Sequence, residues 1–314
     1  MASGKKVTVV GAGNVGSNTA RRIAEYDAAD DVVLIDIVEG LPQGLALDIS
    51  QSAPNEEFET RVSGTNDYGD TAGSDVAVVT AGLPRKPGMS RMDLLDKNAE
   101  IVGGVTEQIV EHSPDAVIVV VSNPLDEMTY LASLVSKFPK ERVMGMAGVL
   151  DSARLRFFIA EQLDVPPASV EAMTLGSHGD QMVALPRHAK VKGKPLPELV
   201  DASTLEELFQ RTRDGGAEIV GYLKKGSAFY APASSAAAMV NAILGDTKDV
   251  FPTCAWTSGQ YGISDVYLGV PAKLGAGGVE EIVELELNEE ERGKLEEAAE
   301  AIRRKCDELA SLRS

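Results

Sequence analysis

The sequence contains few cysteines, histidines and tryptophans. Two cysteines, three histidines and one tryptophan occur among 314 residues. Cys254 and Cys306 lie far apart and lack the spacing of metal ligands, which argues against a disulfide framework or a cysteine zinc site. Reduced cysteines fit the cytoplasm, so we expect a cytoplasmic protein without a bound metal.

Long apolar runs and an excess of basic charge are also missing. No apolar stretch approaches the ~20 residues that a membrane helix needs, and the first residues lack the pattern of a secretory leader. The formal net charge is -18, which would repel nucleic acid. We therefore expect neither a membrane nor a nucleic acid as partner. The acidity suits either an ordinary acidic protein or a surface adapted to a salty cytosol. We favour the second, because self-repulsion is costly without screening.

The first half of the chain alternates short apolar runs with helical patterns. The apolar runs are Val7–Val10, Val32–Ile35, Val76–Val79 and Ala116–Val121. Because they are apolar throughout, they predict strands buried on both faces of a parallel sheet. Strand–helix repetition of this kind predicts a doubly wound α/β domain of the Rossmann type over residues 1–146.

The pattern changes near residues 144–148. Strand candidates become fewer (residues 171–175, 182–185 and 280–287) and the helical stretches become longer. We therefore predict an α+β catalytic domain over residues 147–314, packed closely against the first. A last helix is expected from about residue 289 to residue 309, because Asn288 and Glu291 have capping-box spacing.

A glycine-rich turn follows the first predicted strand. Gly11, Gly13 and Gly16 have the spacing G-x-G-x-x-G between a strand and a helix, which is the context that dinucleotide binding requires. The second strand ends at Asp36, whose carboxylate would bind the ribose hydroxyls of NAD and repel the extra phosphate of NADP. These features predict NAD as cofactor. The alternative is a glycine turn with an unrelated surface aspartate.

Three residues could carry out proton transfer next to a carboxylate, which needs a base for the proton and a cation for the carboxylate. His112 and His188 suit the surface, whereas His178 stands between glycines after an apolar strand. Asp151 and Arg154 have the spacing of one helix face among apolar neighbours. Such a pair is more often a surface ion pair. A buried pair would need partners, which a histidine and a substrate carboxylate would supply.

A basic loop forms a third element of the predicted site. Residues 83–91, LPRKPGMSR, follow a strand of the nucleotide half and so stand at the edge of the sheet where ligands bind. The prolines and the glycine predict a loop of defined shape that could act as a lid. The alternatives are a basic surface loop or a loop that binds only cofactor phosphates.

These motifs together resemble one known family. GAGNVG, Asp36, LPRKPGMSR, VSNPLD, VLDSARLRF and GSHGDQM occur in the order and spacing of the malate and lactate dehydrogenases, over nearly the whole chain. The resemblance is greatest to the malate enzymes of the lactate-dehydrogenase-like group. It implies NAD-dependent interconversion of malate and oxaloacetate, as in the tricarboxylic acid cycle. It also implies a homotetramer built from dimers, or a homodimer.

The resemblance also implies a role for each matching residue. His178 accepts and donates the proton, and Asp151 orients it. Arg154 binds the reacting carboxylate, Arg91 polarises the substrate carbonyl, and Asn123 contacts substrate and nicotinamide. The implied cofactor contacts are Gly11, Gly13, Asn14, Val15, Gly16, Asp36, Asn98, Val121 and Asn123.

Arg85 favours malate over lactate. The resemblance places it at the far end of the substrate, where lactate enzymes typically carry Gln. An enclosed arginine without a counter-charge is costly, so a second carboxylate is preferred, and such discrimination can reach roughly 10⁴. Ala228 matches a position where lactate enzymes often carry Thr, and its small side chain leaves room for the larger substrate.

Three other functions stay open at this point. L-lactate dehydrogenation would use the same scaffold, and a non-catalytic NAD-binding protein would use only its first half. An NAD- and metal-dependent glycosidase would need a Cys/His metal site near the Asn-Pro segment, but both cysteines lie far downstream. Residues 253–262 depart from the family pattern and contain the tryptophan. We expect a surface or interface strand and hairpin there.

Overall fold

The computed structural model describes residues 4–83, 91–179 and 181–313. Strands and helices alternate through the first half, as the apolar runs predicted. The elements of this half are β1 (Lys6–Val10), α1 (Asn14–Glu25), β2 (Asp31–Ile35), α2 (Leu41–Glu56), β3 (Arg61–Thr65), β4 (Val76–Val79), α3 (Arg91–His112), β5 (Val117–Val120), α4 (Leu125–Ser136) and β6 (Val143–Gly145).

The second half mixes longer helices with shorter strands. Its elements are α5 (Gly148–Leu163), β7 (Val170–Glu171), β8 (Thr174–Gly176), β9 (Met182–Ala184), β10 (Lys190–Val191), β11 (Lys194–Pro195), α6 (Ala202–Leu223), α7 (Tyr230–Gly245), β12 (Val250–Ser258), β13 (Ser264–Gly275), β14 (Gly278–Ile282) and α8 (Glu289–Arg313). Within the described ranges, every helix is too short or too polar to span a bilayer.

Six parallel strands form one end of the main sheet, in the order β3-β2-β1-β4-β5-β6. Because β1 pairs with β2 on one side and with β4 on the other, the chain winds outward in both directions from β1. The predicted doubly wound fold is confirmed. The switch of direction beside β1 is the point where such sheets bind ligands.

The parallel strands are buried on both faces. In β5, Val117 and Val119 pack into a cluster with side chains of α1 and α7. The alternate residues, Ile118 and Val120, pack on the other face with α3 and α4. Two covered faces explain why these strands are apolar at every position rather than at every second one.

The sheet continues without a gap into the second half of the chain. After β6 it runs β12-β13-β8-β9, with β14 on β13. The change from parallel to antiparallel pairing falls between β6 and β12, at Gly145 and Cys254. The smaller sheet β11-β10-β7 stands apart beside a separate apolar cluster of α5 and α6.

The expectation of a surface strand in residues 253–262 is wrong. Strand β12 lies inside the sheet between β6 and β13, and Cys254, Ala255 and Thr257 are fully buried. Trp256 packs edge-on against Tyr267, with ring centroids 5.2 Å apart. The predicted hairpin is present, because β12 pairs antiparallel with β13. The sequence did not indicate that β12 is buried, because its small and hydroxyl-bearing residues fit a crowded strand without forming an apolar run.

The last helix begins as its capping signal predicted. Asn288 Oδ1 accepts a hydrogen bond from the Glu291 backbone N–H at 2.8 Å, and Glu291 Oε2 accepts one from the Asn288 N–H at 2.9 Å. This is a reciprocal capping box. A strand was expected over residues 280–287. Strand β14 covers only the first part of this range, since it ends at Ile282.

Candidate active site

The glycine turn is tightly packed beneath and open above. Gly11 has φ 101, in the left-handed region that favours glycine. A Cβ on Gly16 would stand 1.8 Å from the Gly11 carbonyl oxygen, so α1 packs directly on the turn. A Cβ on Gly13, the N-cap of α1, would meet nothing within 4 Å. The open space lies at a helix N-terminus with unpaired N–H groups, which suits a pyrophosphate.

Asp36 is fixed to the same turn. Its carboxylate accepts hydrogen bonds from the Ala12 N–H at 2.6 Å and from the Val38 N–H at 3.0 Å. The end of β2 is thereby held beside the glycines, where a dinucleotide ribose would lie. Next to it, Ile37 is 97% exposed. This uncovered apolar side chain, which the sequence reasoning did not single out, is suited to pack on an adenine ring. Gly13 and Asp36 together therefore fit NAD.

Asp151 joins the histidine to the arginine. It lies in the first turn of α5 and is buried, and its Oδ2 is 2.9 Å from His178 Nδ1. Its Oδ1 is 3.5 Å from a terminal nitrogen of Arg154, one helical turn later. His178 stands two residues after β8, where Gly176 (φ 83) and Gly179 (φ 114) take left-handed conformations. The structure thus brings together the three residues that sequence spacing had suggested.

Charge and burial oppose each other at His178. The neighbouring Asp151 raises the pKa of the imidazole and burial lowers it, and Asp126 raises it further while Arg154 lowers it. The net effect is a pKa above the ordinary 6.5. A histidine with a raised pKa holds its proton nearer to neutral pH, which suits a group that must both give and take a proton.

Arg154 has an incomplete set of partners. Burial lowers its pKa, although Asp151 opposes this, and an arginine stays charged even so. Within the described part of the chain, its buried Nε has no hydrogen-bond partner. Gly215 and Gly216 on α6 make room for this side chain, since a Cβ on Gly215 would stand 3.1 Å from Arg154 Cδ. A cation short of acceptors is suited to a carboxylate.

The three residues open onto one cleft of about 330 Å³, near the lower end of the usual size of ligand pockets. The predicted residues that line it are Val15, Val121, Asn123, Asp151, Arg154, His178 and Ala228. Val15 of α1, the helix that follows the glycine turn, therefore lines the same cavity as His178. His112 and His188 lie outside it: His112 stacks on Tyr68, and His188 contacts the Glu286 carbonyl.

Some predicted residues occupy a different or undescribed place. Arg85 lies outside the described residues, as does the side chain of Arg91 at the start of α3. Asn98 is buried, and its amide bonds both Leu83 and Asn123: Nδ2 donates to the Asn123 carbonyl at 2.6 Å, and Oδ1 accepts from the Leu83 N–H at 2.8 Å. The Asn98 side chain thus stands behind Asn123.

One cation in the cleft escaped the sequence reasoning. Arg213 lines it together with Gly216 and Val220, which share a face of α6 through their spacing. The only indication in the sequence was that Arg213 stands three positions before a glycine. This spacing was not distinctive, because arginines are frequent on exposed helices.

The expectation that Cys254 lies far from the Asn-Pro segment is wrong. Distance along the chain does not keep Cys254 from the Asn-Pro segment, because its Sγ lies 3.3 Å from Asp126, three residues after Asn123. Nonetheless, in the ranges that the structure describes, no three His, Cys, Asp or Glu side chains are grouped as metal ligands.

Comparisons with known families and proteins agree with the predicted resemblance. Residues 5–145 match the NAD binding domain of lactate/malate dehydrogenase, and residues 148–312 match its alpha/beta C-terminal domain. A malate dehydrogenase of Salinibacter ruber is 55% identical over 308 residues, which are 98% of each chain.

Solved structures give the same result. A malate dehydrogenase structure from Salinibacter ruber superposes with a TM-score of 0.94 at 53% identity, over 98% of each chain. A lactate dehydrogenase of Cryptosporidium parvum, solved with lactic acid and NAD, has a TM-score of 0.94 at 40% identity over 99% of each chain. The fold class predicted from the sequence is confirmed, whereas fold similarity does not separate the two substrates.

Proposed function

The chain belongs to the lactate/malate dehydrogenase family, and we propose that it interconverts malate and oxaloacetate with NAD. The observation that carries this proposal is the joining of His178, Asp151 and Arg154 in one cleft next to the nucleotide-binding turn. A protein that only bound NAD would have no use for a partly exposed histidine bonded to a buried aspartate, beside an arginine whose Nε has no hydrogen-bond partner among the described residues.

His178 acts as the proton-transfer group. With Nδ1 bonded to Asp151, the neutral ring presents Nε2 as the acceptor for the hydroxyl proton of malate. NAD held at the glycine turn would supply the acceptor for the hydride that leaves the hydroxyl-bearing carbon. Asp151 fixes the ring and stabilises the imidazolium that results. In the reverse direction, protonated His178 returns the proton to the carbonyl oxygen of oxaloacetate.

Three further residues hold and polarise the substrate in this proposal. Arg154 binds the carboxylate next to the reacting carbon, which completes the partners of its guanidinium. Arg91 stabilises negative charge that develops on the substrate oxygen. Asn123 contacts substrate and nicotinamide from the wall of the cleft. Asp151 can balance the charge of only one of its two neighbours, His178 or Arg154, when both are protonated. A substrate carboxylate balances the other, so the net charge of the cleft stays close to neutral.

Arg85 and Ala228 select malate. A second carboxylate would neutralise Arg85, whereas the methyl group of pyruvate would leave it unpaired. Ala228 lines the described cleft and leaves space beside the substrate. Lactate dehydrogenation is the alternative, supported by the equally close fold of the Cryptosporidium enzyme.

The test is a comparison of substrates. Purified protein should reduce NAD with malate and far less with lactate, and a preference for lactate would refute the role of Arg85. Arg85→Gln should move preference toward pyruvate. Arg154→Gln should lower kcat/KM for both keto acids by roughly 10²-fold or more, as expected when one partner of a buried charge pair is lost.

The cofactor residues follow from the same proposal. Pyrophosphate would lie on the turn at Gly11, Gly13 and Gly16, and the ribose on Asp36. The remaining proposed contacts are Asn14, Val15, Asn98, Val121 and Asn123. Retained turnover with NADP at the rate with NAD would contradict the role of Asp36.

We further propose the setting in which the enzyme works. It would act in the cytoplasm, in the tricarboxylic acid cycle, as a homotetramer built from dimers or as a homodimer, with domains over residues 1–146 and 147–314. The net charge of -18 supports adaptation to a salty cytosol. Light scattering tests the oligomeric state. Activity and stability measured across salt concentrations test the adaptation to salt, and highest stability at low salt would refute it.

A further inference from the structure

A second buried carboxylate lies behind the histidine. Asp126, in the first turn of α4, is 3% exposed and stands three residues after Asn123. Ser177 Oγ donates to its Oδ2 at 2.5 Å, and Cys254 Sγ donates to its Oδ1 at 3.3 Å. In the described ranges, no cation lies within ion-pair distance of this carboxylate.

These contacts join segments that are distant in sequence. Asp126 belongs to the helix after Asn123, Ser177 immediately precedes His178, and Cys254 lies on the central strand β12. The Ser177 contact spans 51 residues of chain and the Cys254 contact spans 128. One carboxylate therefore fixes the loop that carries the proton-transfer group against the helix that follows the substrate-contacting asparagine.

We propose that Asp126 is a positioning residue of the active site, holding His178 through Ser177 and placing a second negative charge behind its ring. The inference rests on the proposed function of His178. Asp126 does not touch the substrate in this proposal, and it acts only through the loop and through its charge.

Burial of this carboxylate needs a reason. Burial raises the pKa of Asp126 to about 6, and Glu127 adds to this, while the bonds from Ser177 and Cys254 lower it. Stability alone would be served as well or better by an apolar residue of similar volume. A carboxylate held by two weak or neutral donors is therefore better explained by what it does to its neighbour.

The charges around the pair set the direction of the electrostatic effect. His178 is faced by Asp151 and Arg154 from α5 and by Asp126 from α4, and the charge of Asp126 raises the pKa of the imidazole. Asp126 itself is faced by Glu127, by the thiol of Cys254 and by His178, whose charge lowers the pKa of Asp126 in turn. Removing the charge of Asp126 should therefore lower the pKa of His178.

Two variants separate position from charge. Asp126→Asn removes the charge but keeps an oxygen that can accept from Ser177. Ser177→Ala removes the bond and leaves the carboxyl group in place. We expect Ser177→Ala to lower kcat by roughly 10- to 10²-fold, as for a misplaced catalytic group, and to move the pH midpoint of oxaloacetate reduction less than Asp126→Asn does. Asp126→Asn should lower that midpoint. KM should stay nearly constant in both, because Arg154 is untouched.

Glu127→Gln is the matched control. Glu127 is the next residue of α4 and is equally buried, but its Oε1 lies 3.5 Å from Lys305, so it pairs with α8 and not with Ser177. We expect Glu127→Gln to change stability but neither kcat nor the pH midpoint. Equal losses in Glu127→Gln and Asp126→Asn would overturn the proposal, since any buried carboxylate would then serve.

A direct readout does not depend on turnover. The chain has three histidines, so NMR titration of their ring protons can follow His178 in the full protein, with a His178 variant for assignment. A lower pKa of His178 in Asp126→Asn supports the proposal, and an unchanged pKa together with unchanged kcat overturns it. If Asp126→Asn does not fold, Ser177→Ala decides: wild-type kcat in that variant overturns the proposal. Failure of the wild type to reduce oxaloacetate would instead refute the proposed function.

Discussion

The nucleotide half and the catalytic cluster build their parts of the site in opposite ways. The glycine turn is one contiguous segment, and its geometry follows from backbone contacts between Gly11 and Gly16. The catalytic cluster is assembled from α5 and the loop after β8, and Asp151 and His178 are 27 positions apart in the sequence. The first depends on close backbone packing, whereas the second depends on charge.

This difference predicts different failures. A side chain added where the turn is tightly packed, at Gly16, should disturb stability and nucleotide binding together. A neutral replacement in the cluster should leave nucleotide binding nearly intact and change the rate and its pH dependence.

Asp151→Asn should have the largest effect. Oxaloacetate reduction needs protonated His178, so the rate is high at low pH and falls as pH rises through the raised pKa of His178. Asp151 is the main cause of that raised pKa. Without its charge, the midpoint should move to lower pH, with a loss of kcat at pH 8 of roughly 10²-fold or more, as expected when general acid–base catalysis is impaired.

The measurement is the pH profile of kcat/KM for oxaloacetate, recorded with rising pH and again with falling pH. NADH binding, followed by fluorescence, should be nearly unchanged, since the carboxylate of Asp151 contacts His178 and Arg154 rather than the glycine turn. An unchanged midpoint would show that His178 is not the titrating group.

The contrast also explains what could be predicted from sequence. Burial on both faces leaves a local signature in β5, and the glycine spacing is local too, so the parallel sheet and the turn were both foreseen. Asp126 and Arg213 were not, because their meaning depends on contacts made by folding. Strand β12 was misplaced for the same reason: its neighbours β6 and β13, not its own composition, bury it.

The catalytic cluster occupies a middle position. The spacing of Asp151 and Arg154 indicated a shared helix face, and the glycines beside His178 distinguished it from His188. The contact between Asp151 and His178 had to be inferred from chemical need and from resemblance. Arg85 and the side chain of Arg91 lie outside the described residues, and their roles stay predictions.

Gly16→Ala should have an intermediate effect. Its Cβ would stand 1.8 Å from the Gly11 carbonyl oxygen, so the turn or α1 must shift. Overpacking of this kind costs about 1–3 kcal/mol, and we expect both a lower unfolding free energy and weaker NADH binding, measured by denaturant titration and fluorescence.

Gly13→Ala is the matched control for that variant. Its Cβ would meet no protein atom within 4 Å, and its φ of -70 suits alanine. Stability should therefore be unchanged while NADH binding weakens, if the pyrophosphate occupies the space above Gly13. Unaltered NADH binding in Gly13→Ala would place the cofactor elsewhere on the turn.

Asn288→Ala should have the smallest effect, and it sharpens the comparison. The capping box of α8 lies in the second half of the chain, yet it was predicted from sequence, because its two hydrogen bonds join residues three apart. Losing an N-cap side chain costs about 1 kcal/mol, measurable by urea unfolding, with kcat unchanged because α8 carries no group of the cleft. Glu290→Ala, which removes an exposed pair with Lys294, should cost less, because solvent screens an exposed ion pair. Equal costs in the two variants would mean that the box contributes nothing. A larger cost for Asn288→Ala would show that the distance along the chain between interacting residues, rather than the half of the molecule in which they lie, decides what the sequence can predict.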